Sequence, residues 1–184
     1  MTLTETPICN YGEKAKNFNL LSTENRKVSL NDIKGENGTL IMFICNHCPY
    51  VKAIIKDAVQ DVKYLETLGI KSTAIMSNDV KNYPEDSFEN MISFSKFHAF
   101  SFPYVIDDTQ EVAKEYGAVC TPDFFGYNKK LELQYRGRIR ELKNLKPVRK
   151  GDSDLRLAMK QIATSGNGPK IQIPSMGCNI KWFK

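Results

Sequence analysis

The sequence predicts an α/β sandwich, a mixed central sheet with helices on both faces, built as one domain over residues 1–184. Three observations predict it. Short apolar runs bounded by glycine or proline alternate with stretches of helical period, the later part of the chain carries an antiparallel pair, and no internal repeat or low-complexity tract breaks the pattern.

The elements follow in order. Residues 1–17 read as an N-terminal arm. Phe18 to Leu21 and Lys27 to Leu30 flank the turn residues "STEN" and predict a short hairpin. "GTLIMFIC", bounded by Gly38, is a continuous apolar run, the pattern of a strand buried on both faces. Pro49 then opens a helix whose apolar positions, Val51, Ile54, Ile55, Ala58, Val59, Val62 and Leu65, recur at helical spacing until Gly69. "IKSTAIMSN" predicts a second buried strand, "PEDSFENMISFSKFH" one helix with its acids early, "FPYVI" a third strand and "TQEVAKEYG" a short helix stopped by Gly117. "DFFGYN" and "LELQYRG", separated by "KK", predict the antiparallel pair. A last amphipathic helix runs from about Asp152 to Thr164, and residues 165–184 form a C-terminal tail.

Composition restricts the function classes. The net charge is +5, and eleven Lys/Arg between Lys129 and Lys160, against Glu132, Glu141, Asp152 and Asp154, account for more than that excess. No nucleic-acid module pattern accompanies this segment, so it reads as a solvated basic stretch and no nucleic-acid partner is expected. No run of roughly 18 to 20 uncharged apolar residues is present, so no membrane partner is expected, and the N-terminal stretch has no apolar run of signal-peptide length. The expected setting is the reducing cytoplasm, which disfavours a structural disulfide scaffold for the five cysteines Cys9, Cys45, Cys48, Cys120 and Cys178.

The stretch "FICNHCPYVKAI" carries the chemistry. Cys45 and Cys48 stand two residues apart where a buried strand gives way to a helix, so the helix N-terminus favours thiolate there. Cys45 is expected to be the nucleophile and Cys48 the resolving thiol, and a protonated His47 is expected to lower the Cys45 pKa further. Haem attachment fails because Pro49 stands where C-x-x-C-H needs histidine. Zinc or iron–sulfur binding would need further ligands, and His98, Cys9, Cys120 and Cys178 are scattered singly, so no metal and no cofactor is expected. Two inert buried cysteines remain the alternative. Downstream, "GAVCTPDFF" places Thr121-Pro122 at a strand start, where an ordinary trans proline is the favoured reading from the residues alone and a cis bond offering the Thr121 backbone to an extended substrate is the alternative.

Taken together, "FICNHCPYVKAI", "SNDVKNYPEDSFENM", "FPYVIDDTQEVAKEYGAVCTPDFFGYN", "YRGRI" and "GCNIKW" resemble the peroxiredoxin-like subfamily of the thioredoxin superfamily, grouped with alkyl hydroperoxide reductase and thiol-specific antioxidant (redoxin) domains. The resemblance spans Phe18 to Trp182. It implies a thioredoxin-like fold, Cys45 and Cys48 as the redox pair, and Thr121-Pro122 as a cis-proline loop that offers backbone to substrate. Its partners would be a protein disulfide or dithiol, or a hydroperoxide.

The peroxiredoxin pattern P-x-x-x-T/S-x-x-C is not met in either register. With Cys48 as its cysteine, Cys45 and Ile41 take the Thr/Ser and proline places, and with Cys45, Met42 and Gly38 do. The expected activity is therefore thiol–disulfide exchange, with thiol peroxidase as the alternative and a non-catalytic binding module as a third reading. The buried acid of thioredoxin is replaced by Thr39, which leaves His47, water or Asp123 to move protons. Cys120 and Cys178 are read as additional redox thiols or as packed residues, Cys178 on a tail folded back onto the domain. Cys9 is assigned no role, and Trp182 is expected to anchor the tail.

Overall fold

The structure, a computed structural model, describes residues 3–7 and 10–184. Cys9 lies outside them. The strands are β1 (Leu3–Glu5), β2 (Asn19–Ser22), β3 (Lys27–Ser29), β4 (Gly38–Phe43), β5 (Ile70–Met76), β6 (Tyr104–Ile106), β7 (Cys120–Thr121), β8 (Asp123–Asn128), β9 (Leu133–Arg136), β10 (Leu142–Lys143), β11 (Lys146–Pro147) and β12 (Met176–Asn179). The helices are α1 (Pro49–Glu66), α2 (Phe88–Phe97), α3 (Glu111–Tyr116) and α4 (Asp154–Ser165). Seven strands form the main sheet in the order β3-β2-β6-β5-β4-β8-β9. The centre is parallel, β4 with β5 and β5 with β6, and the flanks are antiparallel, which is the mixed sheet of the thioredoxin fold.

Strand alternation builds two cores, one on each face. Leu40, Met42, Ala74, Met76, Tyr104 and Phe124 face the apolar sides of α1, α4 and Met91 of α2. Ile41, Phe43, Ile75, Val105, Phe125 and Tyr127 pack against Val112, Ala113 and Tyr116 of α3 and against Val28, Leu30 and Ile33. Every residue of β4 is buried, because both of its faces are covered.

Two differences from the sequence reading matter. The stretch from Pro84 is two pieces, a 3-10 turn at Pro84–Asp86 and then α2. Ser87 takes an extended ψ of 157° and caps α2, its hydroxyl accepting from the Asn90 N–H at 3.3 Å. That break sends Asp86 inward instead of along a helix surface.

The tail forms β12, which lies between β1 of the arm and β7 in a second, three-stranded sheet. Its register with β7 sets Cys178 opposite Thr121 and Asn179 opposite Cys120. Beyond it the Lys181 N–H donates to Asn78 Oδ1 at 2.9 Å, and the Phe183 N–H to Gln110 Oε1 at 2.8 Å. Trp182 is 37 % exposed, so backbone hydrogen bonds clamp the tail and burial of the indole does not.

The basic segment is laced to acids. Arg136 pairs with Asp123, Arg138 and Arg149 with Asp154, Arg140 with Asp57, and Arg156 with Asp61. Among the described residues no helix is long and apolar enough to cross a membrane.

Candidate active site

Cys45 follows β4, and Cys48 is the N-cap residue of α1, with Pro49 in the first helical position. Both are buried, at 1 % and 0 % exposure. Thr121 touches both sulfurs: its hydroxyl is 3.3 Å from Cys45 Sγ, and its carbonyl oxygen is 3.2 Å from Cys48 Sγ. The Thr121-Pro122 peptide is cis.

Each of the two sulfurs shifts the protonation of the other. The Cys48 thiol is lowered to about 5, foremost by a hydrogen bond from Cys45, which outweighs burial, and then by Cys178 and the Val51 and Cys178 backbone N–H groups. Cys45 is pushed well up, because it gives its hydrogen to Cys48, is buried, and faces the Asp86 charge. Within this pair the lowered pKa falls on Cys48, where the sequence expects Cys45 to be the nucleophile, and the Cys48 thiol donates to the Thr121 carbonyl oxygen at 3.2 Å when protonated. The helix start acts on Cys48, the residue that caps it, and Cys45 stands three residues before that cap.

His47 also differs from expectation. Its Nδ1 bonds Asp86 Oδ2 at 2.6 Å, and that bond raises its pKa against the opposing effect of burial. Asp86 is the foremost group favouring the protonated form of His47, and the Cys48 and Glu85 charges add to that effect. The ring also stacks on Tyr83, with centroids 5.8 Å apart and planes 8° apart.

Asp86 is the residue that sequence reasoning missed. It is fully buried and accepts from the Asn46 N–H at 2.7 Å, the His47 N–H at 3.3 Å and Asn78 Nδ2 at 2.8 Å. Burial works to raise its pKa, and these donors with the His47 charge bring it below the ordinary carboxylate value. The signal available was the turn phrase "NYPEDSF", read as ordinary acids of a first helical turn. Asp123, one of the three proton carriers the sequence leaves open, pairs with Arg136 at 2.9 Å, and burial lifts it to about 6.

The other two thiols separate. Cys178 Sγ lies 2.8 Å from Cys48 Sγ although 130 residues apart in sequence. Burial and the Cys48 charge push the Cys178 pKa up. Cys120 Sγ meets the Pro122 carbonyl oxygen at 3.7 Å, and burial raises it far above an ordinary thiol. Cys120 is thus a packed residue, and Cys178 joins the site. The backbone of Thr121, expected to be open to an extended substrate, is instead paired with Cys178. That expectation is corrected: the chain's own tail fills the edge of β7. On the far side of Pro122 a cavity of about 150 Å³ is lined by Tyr50, Ile54, Ile139, Leu142 and Ile173, with Arg138 and Arg140 at its rim.

Cys45 Sγ, His47 Nδ1 and an Asp86 oxygen lie within 4.8 Å of one another, the one such donor group among the described residues. A metal there would have to displace the His47–Asp86 bond, so the donors are already committed to each other.

A family model described as AhpC/TSA family matches residues 11–142. No curated protein matches the chain. Among solved structures, an uncharacterized conserved protein from Geobacillus kaustophilus is 38% identical, with a TM-score of 0.94 over 100% of this chain and 97% of its own. A hypothetical protein from Sinorhizobium meliloti is 33% identical, with a TM-score of 0.90 over 98% of each chain. A putative protein disulfide isomerase from Bacteroides thetaiotaomicron shares the fold at 14% identity, with a TM-score of 0.66 over 90% of this chain and 96% of its own.

Proposed function

This chain belongs to the AhpC/TSA family, and from that premise we propose that it is a thiol–disulfide oxidoreductase whose electrons pass through Cys45 and Cys48. The observation that carries this reading is the placement of Cys45 and Cys48 at the start of α1 with both sulfurs against Thr121 of the cis Thr121-Pro122 loop, where the Cys48 pKa is brought to about 5. Near neutral pH such a sulfur is a thiolate, the nucleophilic form. Cys48 attacks one sulfur of a substrate disulfide, a Cys48 mixed disulfide forms, and the departing substrate thiolate takes a proton. Cys45 then attacks Cys48 Sγ. The Cys45–Cys48 bond forms, the second substrate thiol leaves with the proton that Cys45 loses, and one disulfide has been exchanged for another. The apolar cavity beside Pro122, rimmed by Arg138 and Arg140, is the approach for a protein disulfide. The cytoplasm is the compartment in which this dithiol would be kept reduced.

A second reading, peroxide reduction at Cys48, is favoured by burial. Neither reactive sulfur is more than 1 % exposed, and a small oxidant needs less opening than a protein. One experiment separates them: turnover with insulin disulfides and with hydrogen peroxide, in the wild type and in Cys48→Ser. Disulfide turnover that Cys48→Ser abolishes is the expected result. Peroxide consumption far above that of free cysteine, without disulfide turnover, selects the second reading, and failure with both oxidants rejects the enzyme.

A further inference from the structure

Cys178 does not sit beside Cys48 by accident of a loose end. Cross-strand partners point their side chains to the same face of a sheet, and Cys178 is the partner of Thr121, whose hydroxyl and carbonyl touch Cys45 and Cys48. The strand is fixed on both sides of the cysteine. Ser175 Oγ donates to the Pro122 carbonyl at 2.7 Å, and the Ile180 N–H donates to the Val119 carbonyl at 3.0 Å. Gly177 permits the approach, since a Cβ there would stand 2.0 Å from the Thr121 carbonyl oxygen. The tail thus lies where an extended disulfide substrate would add a strand, and it brings a sulfur to Cys48 as such a substrate would.

We propose that Cys178 is a second resolving thiol, so that the disulfide formed at Cys48 exchanges between Cys45 and Cys178. The inference rests on the reading of Cys48 as the attacking sulfur. Starting from the Cys45–Cys48 disulfide, the Cys178 sulfur attacks Cys48 Sγ. The Cys48–Cys178 bond forms, the Cys45–Cys48 bond breaks, and Cys45 leaves as a thiolate that takes the proton Cys178 gave up. No electrons enter or leave, and no other reactant is needed. The separation of 2.8 Å leaves less than an ångström to close to a disulfide bond length of about 2.05 Å. Part of what keeps Cys178 protonated is the negative charge on Cys48, and that charge is gone once Cys48 is in a disulfide. Burial still opposes the Cys178 thiolate, while the Lys181 ammonium favours it. The exchange leaves Cys45 reduced and ties α1 to β12.

The test uses the full chain and oxidised glutathione. In Cys45→Ser, Cys48 attacks glutathione disulfide and releases one glutathione, then Cys178 displaces the other. The expected product, after acid quench, alkylation and peptide mapping, is a Cys48–Cys178 disulfide with no glutathione retained. Glutathione held on Cys48 with Cys178 still open to alkylation overturns the proposal. Because Cys45→Ser alters the site, the wild type is mapped in parallel through a redox titration. A Cys48–Cys178 peptide beside Cys45–Cys48 supports the exchange, and Cys45–Cys48 without it at every ratio rejects it. Turnover with insulin is scored separately, so loss of the oxidoreductase reading and loss of Cys178's role are told apart.

Discussion

At the scale of single residues, Asp86 organises the site. It receives four hydrogen bonds, two from the backbone of Asn46 and His47 and two from the side chains of His47 and Asn78. Asn78 in turn holds the Lys181 N–H, so one carboxylate links the cysteine loop to the tail. His47 has its pKa raised by this pairing, so its contribution to stability is present below the ordinary histidine pKa and lost as pH rises through the raised one. Asp86 is lowered, so its share is present above the ordinary carboxylate pKa and lost as pH falls through the lowered one. Replacing Asp86 with asparagine removes the charge and leaves one oxygen where two accept. The expected results are a fall in the His47 pKa, read from its ring resonances in an NMR titration, and a stability loss of about 1–3 kcal/mol in urea. A His47 titration curve unchanged in Asp86→Asn would contradict this account.

At the scale of elements, β12 decides how the site is closed. In Gly177→Ala the new Cβ would stand 2.0 Å from the Thr121 carbonyl oxygen and 2.7 Å from its carbon. Backbone cannot yield as a side chain does, so β12 must withdraw from β7. The expected cost is roughly 2 kcal/mol by urea denaturation, together with faster alkylation of the cysteines. An unchanged midpoint and unchanged alkylation would show that the strand is not held as described. This contact also marks where the sequence stops being legible. Strand β4, helix α1 with its proline start, and the β8–β9 pair are local patterns, and they stand where periodicity and turn residues place them. Cys45 and Cys48 are adjacent for the same reason. The surroundings of Cys48 are not local, because the Cys178 sulfur 2.8 Å away and the Cys178 backbone that helps to lower its pKa come from a strand 130 residues away. Asp86 was hidden because a serine cap turned an expected helix inward. The closed edge of β7 follows only from the register of the tail.

At the scale of the whole molecule, the thiolate couples redox state to stability. In the unfolded chain Cys48 is an ordinary thiol near 9.0, and in the folded, reduced protein it is held at about 5. A lowered pKa contributes stability that is fully present above the unfolded value and is lost as pH falls through the folded one. Oxidation to a disulfide, whether with Cys45 or with Cys178, consumes this thiolate and with it that contribution. The Cys45–Cys48 loop is too short for cross-linking to offset the loss through chain entropy. The reduced protein is therefore expected to melt above the form oxidised at Cys45–Cys48, whereas a Cys48–Cys178 bond spans 130 residues and offsets the loss through chain entropy. Each kcal/mol of difference appears as about 2–4 °C for a chain of this size. The gap should be widest near pH 9 and close as pH falls through about 5. Because folding favours the reduced form, the disulfide is also expected to be more oxidising than thioredoxin's, which lies at about −270 mV. Calorimetry of both forms across that pH range, with a glutathione titration of the potential, checks both expectations. A form oxidised at Cys45–Cys48 that melts higher at pH 8, or a potential at or below thioredoxin's, would mean that the charge at the start of α1 does not govern the chemistry.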